Sequence, residues 1–185
     1  LPFALKDIGK LDACPELVHC PVLKSRSDSK TKADLWLHLG WEGAGSANRQ
    51  DPHVQARNIG YALDSLHTAA RLGCARFLFC GSQAEYGIAD GVMGEEILCH
   101  PVSEYGKDKL EVCRRAGEEA KALGIDYIHA RIFSVYGPGD HPWSLVSTCL
   151  NTFLKGGRME LGECTQQWNF LHVRDADSWA LTREK

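Results

Sequence analysis

"ARFLFCGSQAEYG", residues 75 to 87, is an apolar run that passes straight into a polar turn and closes on glycine. The run at 75 to 80 reads as a short buried strand. It ends by presenting Ser82, Gln83, Glu85 and Tyr86 together, more polar chemistry than a simple connection requires.

The flanking segments set the context of that strand. Upstream, "DLWLHLGW" (34 to 41) is an apolar run closed by glycine, as expected of a strand buried on both faces. Between the two runs, Asp51 can cap a helix and Pro52 suits its first position. Val54, Ile59, Leu63, Leu66 and Ala70 then follow at helical spacing as the apolar face, up to Gly73. Downstream, Ser103 can cap a second long helix that runs to Leu123 and stops at Gly124, and "DYIHARIF" (126 to 133) reads as the next strand. Strands alternating with long helices require right-handed crossovers, so the fold class is α/β: a doubly wound parallel sheet with helices on both faces. Beyond "YGPGDHPWS", residues 145 to 155 read as a helix, and "GGRMELG" and "WNFLHV" as short strands. The opening third is less patterned, with "ELVHCPVL" (16 to 23) strand-like and "KSRSDSKTK" (24 to 32) an exposed loop or weak helix. The start on Leu1 and the stop at "TREK", just after a new helix begins, read as ends cut from something longer.

Composition narrows the classes of partner. The 185 residues, 44% of them hydrophobic, are enough for one globular domain with its own core. A net charge of −3 without a basic stripe argues against nucleic acid and for a small molecule. No apolar run reaches the roughly 20 residues that span a bilayer, and the N-terminus lacks a signal peptide's pattern, so no membrane association and a cytoplasmic location are expected. Eight cysteines are scattered at 14, 20, 74, 80, 99, 113, 149 and 164 with no C-x-x-C pair. They read as reduced, mostly packed thiols, and no metal is expected.

In open α/β sheets ligands gather outside the carboxyl ends of the strands. Three polar loops leave such ends: "GWEGAG", the turn after Phe79, and "SVYGPGD". Tyr105 and Lys109, four apart in "SEYGKDKLE", share one helix face near the start of the second helix. A phenol is a poor acid or base at neutral pH, but a nearby ammonium favours the phenolate, and a hydroxyl from another loop can hold the substrate oxygen. Ser82 is placed to be that hydroxyl, so the turn supplies half of an active site, with Tyr105 and Lys109 as the other half.

These features occur together in a fixed order: "HLGW", "NIGY", "GSQAEYG", "YGKDK", "RIFSVYGPGD" and "NFLHVRDAD". In that order and spacing the chain resembles the extended short-chain dehydrogenase/reductases, specifically the NAD-dependent epimerase/dehydratase group acting on nucleotide sugars, over residues 34 to 173. The resemblance implies a Rossmann-like fold, with a partial dinucleotide-binding domain at 1–140 and the start of a substrate-binding part at 141–185. It implies NAD or NADP as cofactor, a nucleotide-sugar substrate, and a homodimer through the Asp51 and Ser103 helices. Carried over by position, it makes Tyr105 the general acid/base, Ser82 the group that orients the sugar oxygen, and Lys109 the residue that binds the nicotinamide ribose and tunes Tyr105. Leu39, Gly40 and Trp41 would line the dinucleotide, Cys80 and Gly81 would pass beneath the nicotinamide, and Ile132 and Phe133 would flank its ring. Gln83 and Ser134 would touch substrate. Sugar dehydratases of this family carry Asp-Glu after the catalytic threonine. Here Gln83 and Ala84 stand in those places, which disfavours dehydration and leaves 4-ketoreductase and epimerase nearly equal.

The chain departs from the family in several places. The glycine-rich turn that receives the pyrophosphate is absent, and "GWEGAG" follows what corresponds to the fourth family strand. Without the family's first two strands, Leu35, Leu37 and Leu39 would belong to an unpaired apolar edge. Trp168 stands where relatives carry an arginine for the diphosphate, which loses a bidentate phosphate partner. The rival reading is therefore a non-catalytic fragment that kept its site residues and acts as a binding or assembly module. An aromatic protein-binding face formed by Trp143, Trp168 and "WLHLGW" is weaker, because tryptophans in α/β domains usually line cores or pockets.

Overall fold

A computed structural model describes residues 34–165 and 168–182. The expectations for residues 16 to 32 lie outside the described residues. The chain divides into two compact units, Leu1–Arg131 and Ile132–Lys185.

In the first unit β1 (Leu35–His38) pairs in parallel with β2 (Arg76–Ser82), Leu35 opposite Arg76 and His38 opposite Phe79. Strand β3 (Asp126–Ile132) lies on the other side of β2. Helix α1 (Pro52–Arg71) connects β1 to β2, and α2 (Glu104–Leu123) connects β2 to β3. Both helices begin and end as their sequences predict. The Asp51 carboxylate accepts the backbone N–H groups of His53 and Val54, and the Ser103 hydroxyl accepts that of Gly106. Gly124, at φ +68, takes the left-handed conformation that ends α2 without a Cβ penalty. The core joins Leu63, Leu66 and Ala69 of α1 and Val112, Ala116 and Ala120 of α2 to Phe77 and Phe79 of β2.

Four details differ from the sequence reading. Strand β2 continues two residues past Cys80, so Gly81 and Ser82 are strand residues and the polar turn proper is Gln83–Glu85. The buried residues of α1 are Gln55, Asn58, Ala62, Leu63, Ser65, Leu66, Thr68 and Ala69, so Leu63 and Leu66 are inward as expected while Val54, Ile59 and Ala70 are only half-buried. Polar residues occupy the inward face because the loop after β1 needs hydrogen-bond partners there. Strand β1 is not buried on both faces: Leu37 is 45% exposed, and among the described residues β1 is also the sheet's edge. Finally, "GGRMELG" forms no strand. Its residues are exposed apart from Met159, and no neighbouring strand among the described residues takes up its backbone groups.

His38 is a buried exception on β1. Its ring stacks between Phe77 and Phe79, with centroids at 6.0 and 5.3 Å, and its Nδ1 lies 3.0 Å from the Ser65 hydroxyl. Burial first, then the Lys109 charge, push its pKa down to about 4.

In the second unit β4 (Ser134–Tyr136) pairs in parallel with β5 (Phe170–His172), Ser134 opposite Phe170. Helix α3 (Leu145–Leu154) is capped by the Ser144 hydroxyl, and α4 (Val173–Thr182) follows β5 directly. Among the described residues no helix is long and apolar enough to cross a membrane. No group of three or more His, Cys, Asp or Glu that could hold a metal lies among them either.

Candidate active site

The first wall of the site is the loop after β1. It carries Trp41 and is held from below by α1. Gln55 accepts the indole N–H of Trp41 at 2.8 Å and donates to the carbonyls of Gly43 and Asn48 at 2.9 Å each. Asn58 accepts the Glu42 N–H at 2.7 Å and donates to the Glu42 carbonyl at 3.0 Å. These two amides explain the polar inward face of α1. A loop has no ladder of its own, and its buried backbone groups must find partners.

The second wall is the turn after β2. The Ser82 hydroxyl accepts the Ala84 N–H at 3.2 Å, while the Glu85 carboxylate accepts the Ser82 N–H at 2.7 Å, a reciprocal capping box. The third wall is the first turn of α2, which rests directly on that turn. A Cβ at Gly106 would lie 2.4 Å from the Ala84 carbonyl oxygen, so only glycine allows this approach. The turn that carries Ser82 and the helix that carries Tyr105 are thus in contact.

Between these walls stands Lys109, 4% exposed. Its ammonium donates to the Cys80 carbonyl at the end of β2 and lies 4.2 Å from the Trp41 ring centroid, 4.7 Å from that of Phe79 and 5.7 Å from that of Tyr105. Burial pulls its pKa down from 10.5 to about 8, opposed by the neighbouring Cys80 and Glu85. Tyr105 meets Trp41 edge to face at 5.8 Å, and the Arg49 guanidinium lies 4.3 Å over its ring. The Arg49 carbonyl also accepts the Tyr105 N–H at 3.0 Å. An ammonium has three N–H donors and the Cys80 carbonyl takes one, which suits Lys109 to hold a sugar's vicinal hydroxyls beside a flat aromatic wall. A nicotinamide riboside offers both features, so these residues fit that end of a dinucleotide.

The structure therefore brings Trp41, Cys80, Ser82, Tyr105 and Lys109 to one end of the sheet. Gln83 is half-buried in the turn, Gly40 is half-buried, and Leu39 is 65% exposed. Gly81 is buried. A Cβ there would come within 2.3 Å of His129 Nε2, so packing beneath the strand is sufficient reason for its glycine. Ile132, Phe133 and Ser134 belong to the second unit, where Phe133 and Ser134 line a cavity of about 710 Å³ with Tyr136, Asp140, Trp168 and Phe170. There the Ser134 hydroxyl accepts the indole N–H of Trp168. Arg49 and Gln55 escape a reading by motif, and Asn58 enters only as the first residue of "NIGY", without a role. Their signal is polar residues at helix positions expected to be apolar, and a loop cation that only the fold places over Tyr105.

Comparison with known proteins bears on the family and the fold. The sequence model of the NAD dependent epimerase/dehydratase family matches residues 9–181. The uncharacterized UDP-glucose epimerase YtcB of Bacillus subtilis (strain 168) is 28% identical over 122 residues, 65% of this chain and 38% of its own length. The crystal structure of UDP-glucose 4-epimerase from Thermotoga maritima with UDP-glucose superposes with a TM-score of 0.78. It is 20% identical and covers 100% of this chain and 58% of its own, a likeness of fold. MoeE5 in complex with UDP-glucuronic acid and NAD is 29% identical with a TM-score of 0.70, over 82% of this chain and 52% of its own. The chain thus spans between about two fifths and three fifths of the length of these relatives.

Proposed function

The chain belongs to the NAD dependent epimerase/dehydratase family, and from that premise we propose that it carries the nicotinamide side of a nucleotide-sugar 4-epimerase site, with a 4-ketoreductase as the neighbouring possibility. The observation that carries the reading is the Trp41, Tyr105 and Lys109 cluster, packed through Gly106 against the turn that bears Ser82.

In this reading Lys109 holds the ribose hydroxyls of NAD, and Trp41 closes one side of the site to water. The chemistry that NAD supplies when bound is reversible hydride removal from a sugar carbon. Tyr105 takes the proton of the sugar hydroxyl and returns it, and the Ser82 hydroxyl holds the sugar oxygen in line. Glu85 supports epimerase or reductase over dehydratase chemistry. It is wholly buried and bonded to His129 and Arg131, so it does not stand free for a proton at a neighbouring carbon.

The second reading, a binding module without activity, draws on the second unit. There Ser134 engages Trp168 rather than standing open, and no lysine or arginine lines the described cavity. Incubation with UDP-glucose or UDP-glucuronic acid, with nucleotide sugars analysed by chromatography and NADH followed by absorbance, separates the possibilities. An epimerase converts the sugar with no net change in NADH, because the hydride returns to the same substrate, whereas a 4-ketoreductase, run in reverse on these 4-hydroxy sugars with added NAD, forms NADH in proportion to the keto product. A folded chain that binds NADH but converts no sugar selects the module.

A further inference from the structure

Beneath the rim of the first unit lies a cluster of polar side chains that the proposed chemistry does not use. The Glu85 carboxylate is 0% exposed. One oxygen accepts the Ser82 N–H at 2.7 Å and the other the Arg131 Nε–H at 2.9 Å, while His129 Nε2 lies 3.0 and 2.9 Å from the two. An ionised carboxylate only accepts, so Nε2 is the donor in this pair. Behind it, His129 Nδ1 lies 2.8 Å from the Tyr127 hydroxyl. Burial alone would raise the Glu85 pKa, but the bonds from His129, Ser82 and Arg131 outweigh it and hold the carboxyl below its ordinary range.

A buried ion cluster is weak as a source of stability, because apolar residues of similar volume often do as well. What this one provides is a fixed point. Its carboxylate accepts the backbone N–H of Ser82, and the cluster presses on the strand just before that residue. A Cβ at Gly81 would lie 2.3 Å from His129 Nε2 and 2.6 Å from Glu85 Oε1. The carboxylate that grips Ser82 also closes the capping box, so the Ser82 hydroxyl, the turn at Gln83 and the Ala84 carbonyl against Gly106 are set together.

We propose that Glu85, held by His129 and Arg131, is a positioning residue that fixes the Ser82–Gln83 turn against the helix carrying Tyr105. This inference rests on the epimerase or reductase reading for its catalytic consequence. The test uses the full chain with His129→Leu, which removes the donor, and His129→Gln, whose amide can still donate to Glu85. Three quantities are compared: hydrogen exchange at the Ser82 amide in the ligand-free chain, affinity for NADH, and kcat against KM for the nucleotide sugar. In His129→Leu the Ser82 amide exchanges about tenfold faster or more while the α1 and α2 amides keep their protection. NADH affinity holds, and kcat falls about tenfold to a hundredfold with KM little changed; His129→Gln recovers most of both losses. Unchanged Ser82 protection in a folded His129→Leu chain overturns the proposal, as does a uniform loss of protection that His129→Gln does not repair. If His129→Leu does not fold, Tyr127→Phe keeps the ring and reports the same losses at smaller size; no change there overturns it equally. A wild-type chain that neither binds NADH nor turns over sugar rejects the functional reading, and Ser82 exchange still decides the role of the cluster.

Discussion

At the scale of single residues, the account turns on a phenol and an ammonium placed by one helix turn. Replacement of Tyr105 by Phe should leave the fold and NADH affinity intact and lower sugar conversion about a hundredfold or more, the usual worth of a positioned acid/base. Lys109 makes a prediction with a definite sign. Its folded pKa of about 8 lies below the unfolded 10.5, so between those values the unfolded chain binds the proton that the folded chain has released. Stability contributed by this site therefore rises with pH across that window. Denaturant melts from pH 7.5 to 10 should show that rise in the wild type relative to a Lys109→Met variant; parallel curves would contradict it. Ligand binding should run the opposite way, with NADH affinity falling above about pH 8 as the ammonium is lost. The pair was legible in the sequence because four-residue spacing on a helix fixes a shared face. Arg49, over the Tyr105 ring, was not, since nothing local ties a loop cation to a tyrosine 56 positions on.

At the scale of elements, the site is made by contacts between segments, and glycine and amide residues do most of that work. Gly106 to Ala sits in a helix, where alanine normally stabilises by about 1 kcal/mol. Here the new Cβ would lie 2.4 Å from the Ala84 carbonyl oxygen, so the melting temperature should fall and turnover with it. Asn58→Ala strips two bonds from the loop behind Trp41. It should cost on the order of 1–3 kcal/mol and weaken NADH binding through a loosened indole, visible in tryptophan fluorescence. Strand β1 is tied to α1 by His38, whose pKa of about 4 lies below its unfolded 6.5. The unfolded chain therefore takes up a proton first as pH falls, and about 3 kcal/mol of stability should be lost from pH 6.5 to 4; a His38→Leu variant should lack that acid slope. The caps and stops of α1 and α2 were readable from Asp51, Ser103 and Gly124 alone. The inward amides of α1 were not, because their partners are backbone groups of a loop that periodicity does not see. The failed strand at "GGRMELG" has the same origin: its alternation is local, whereas a strand exists only with a neighbour to pair with.

At the scale of the whole molecule, the alternation of strands and long helices was enough to name the fold class, because parallel strands joined by helices admit few topologies. The division at Arg131 and Ile132 was not readable, since it falls within the apolar run "DYIHARIF". The central claim is that the cluster of Trp41, Tyr105 and Lys109 binds the nicotinamide end of NAD. Its most direct test is a titration of the purified chain with NADH, followed by nicotinamide and tryptophan fluorescence, beside the Lys109→Met variant. The account predicts saturable binding with quenching of tryptophan emission, weakened at least about tenfold in the variant, the worth of a charge-assisted contact. A well-folded chain that shows no saturable binding, or one that binds equally well without the Lys109 ammonium, would contradict it.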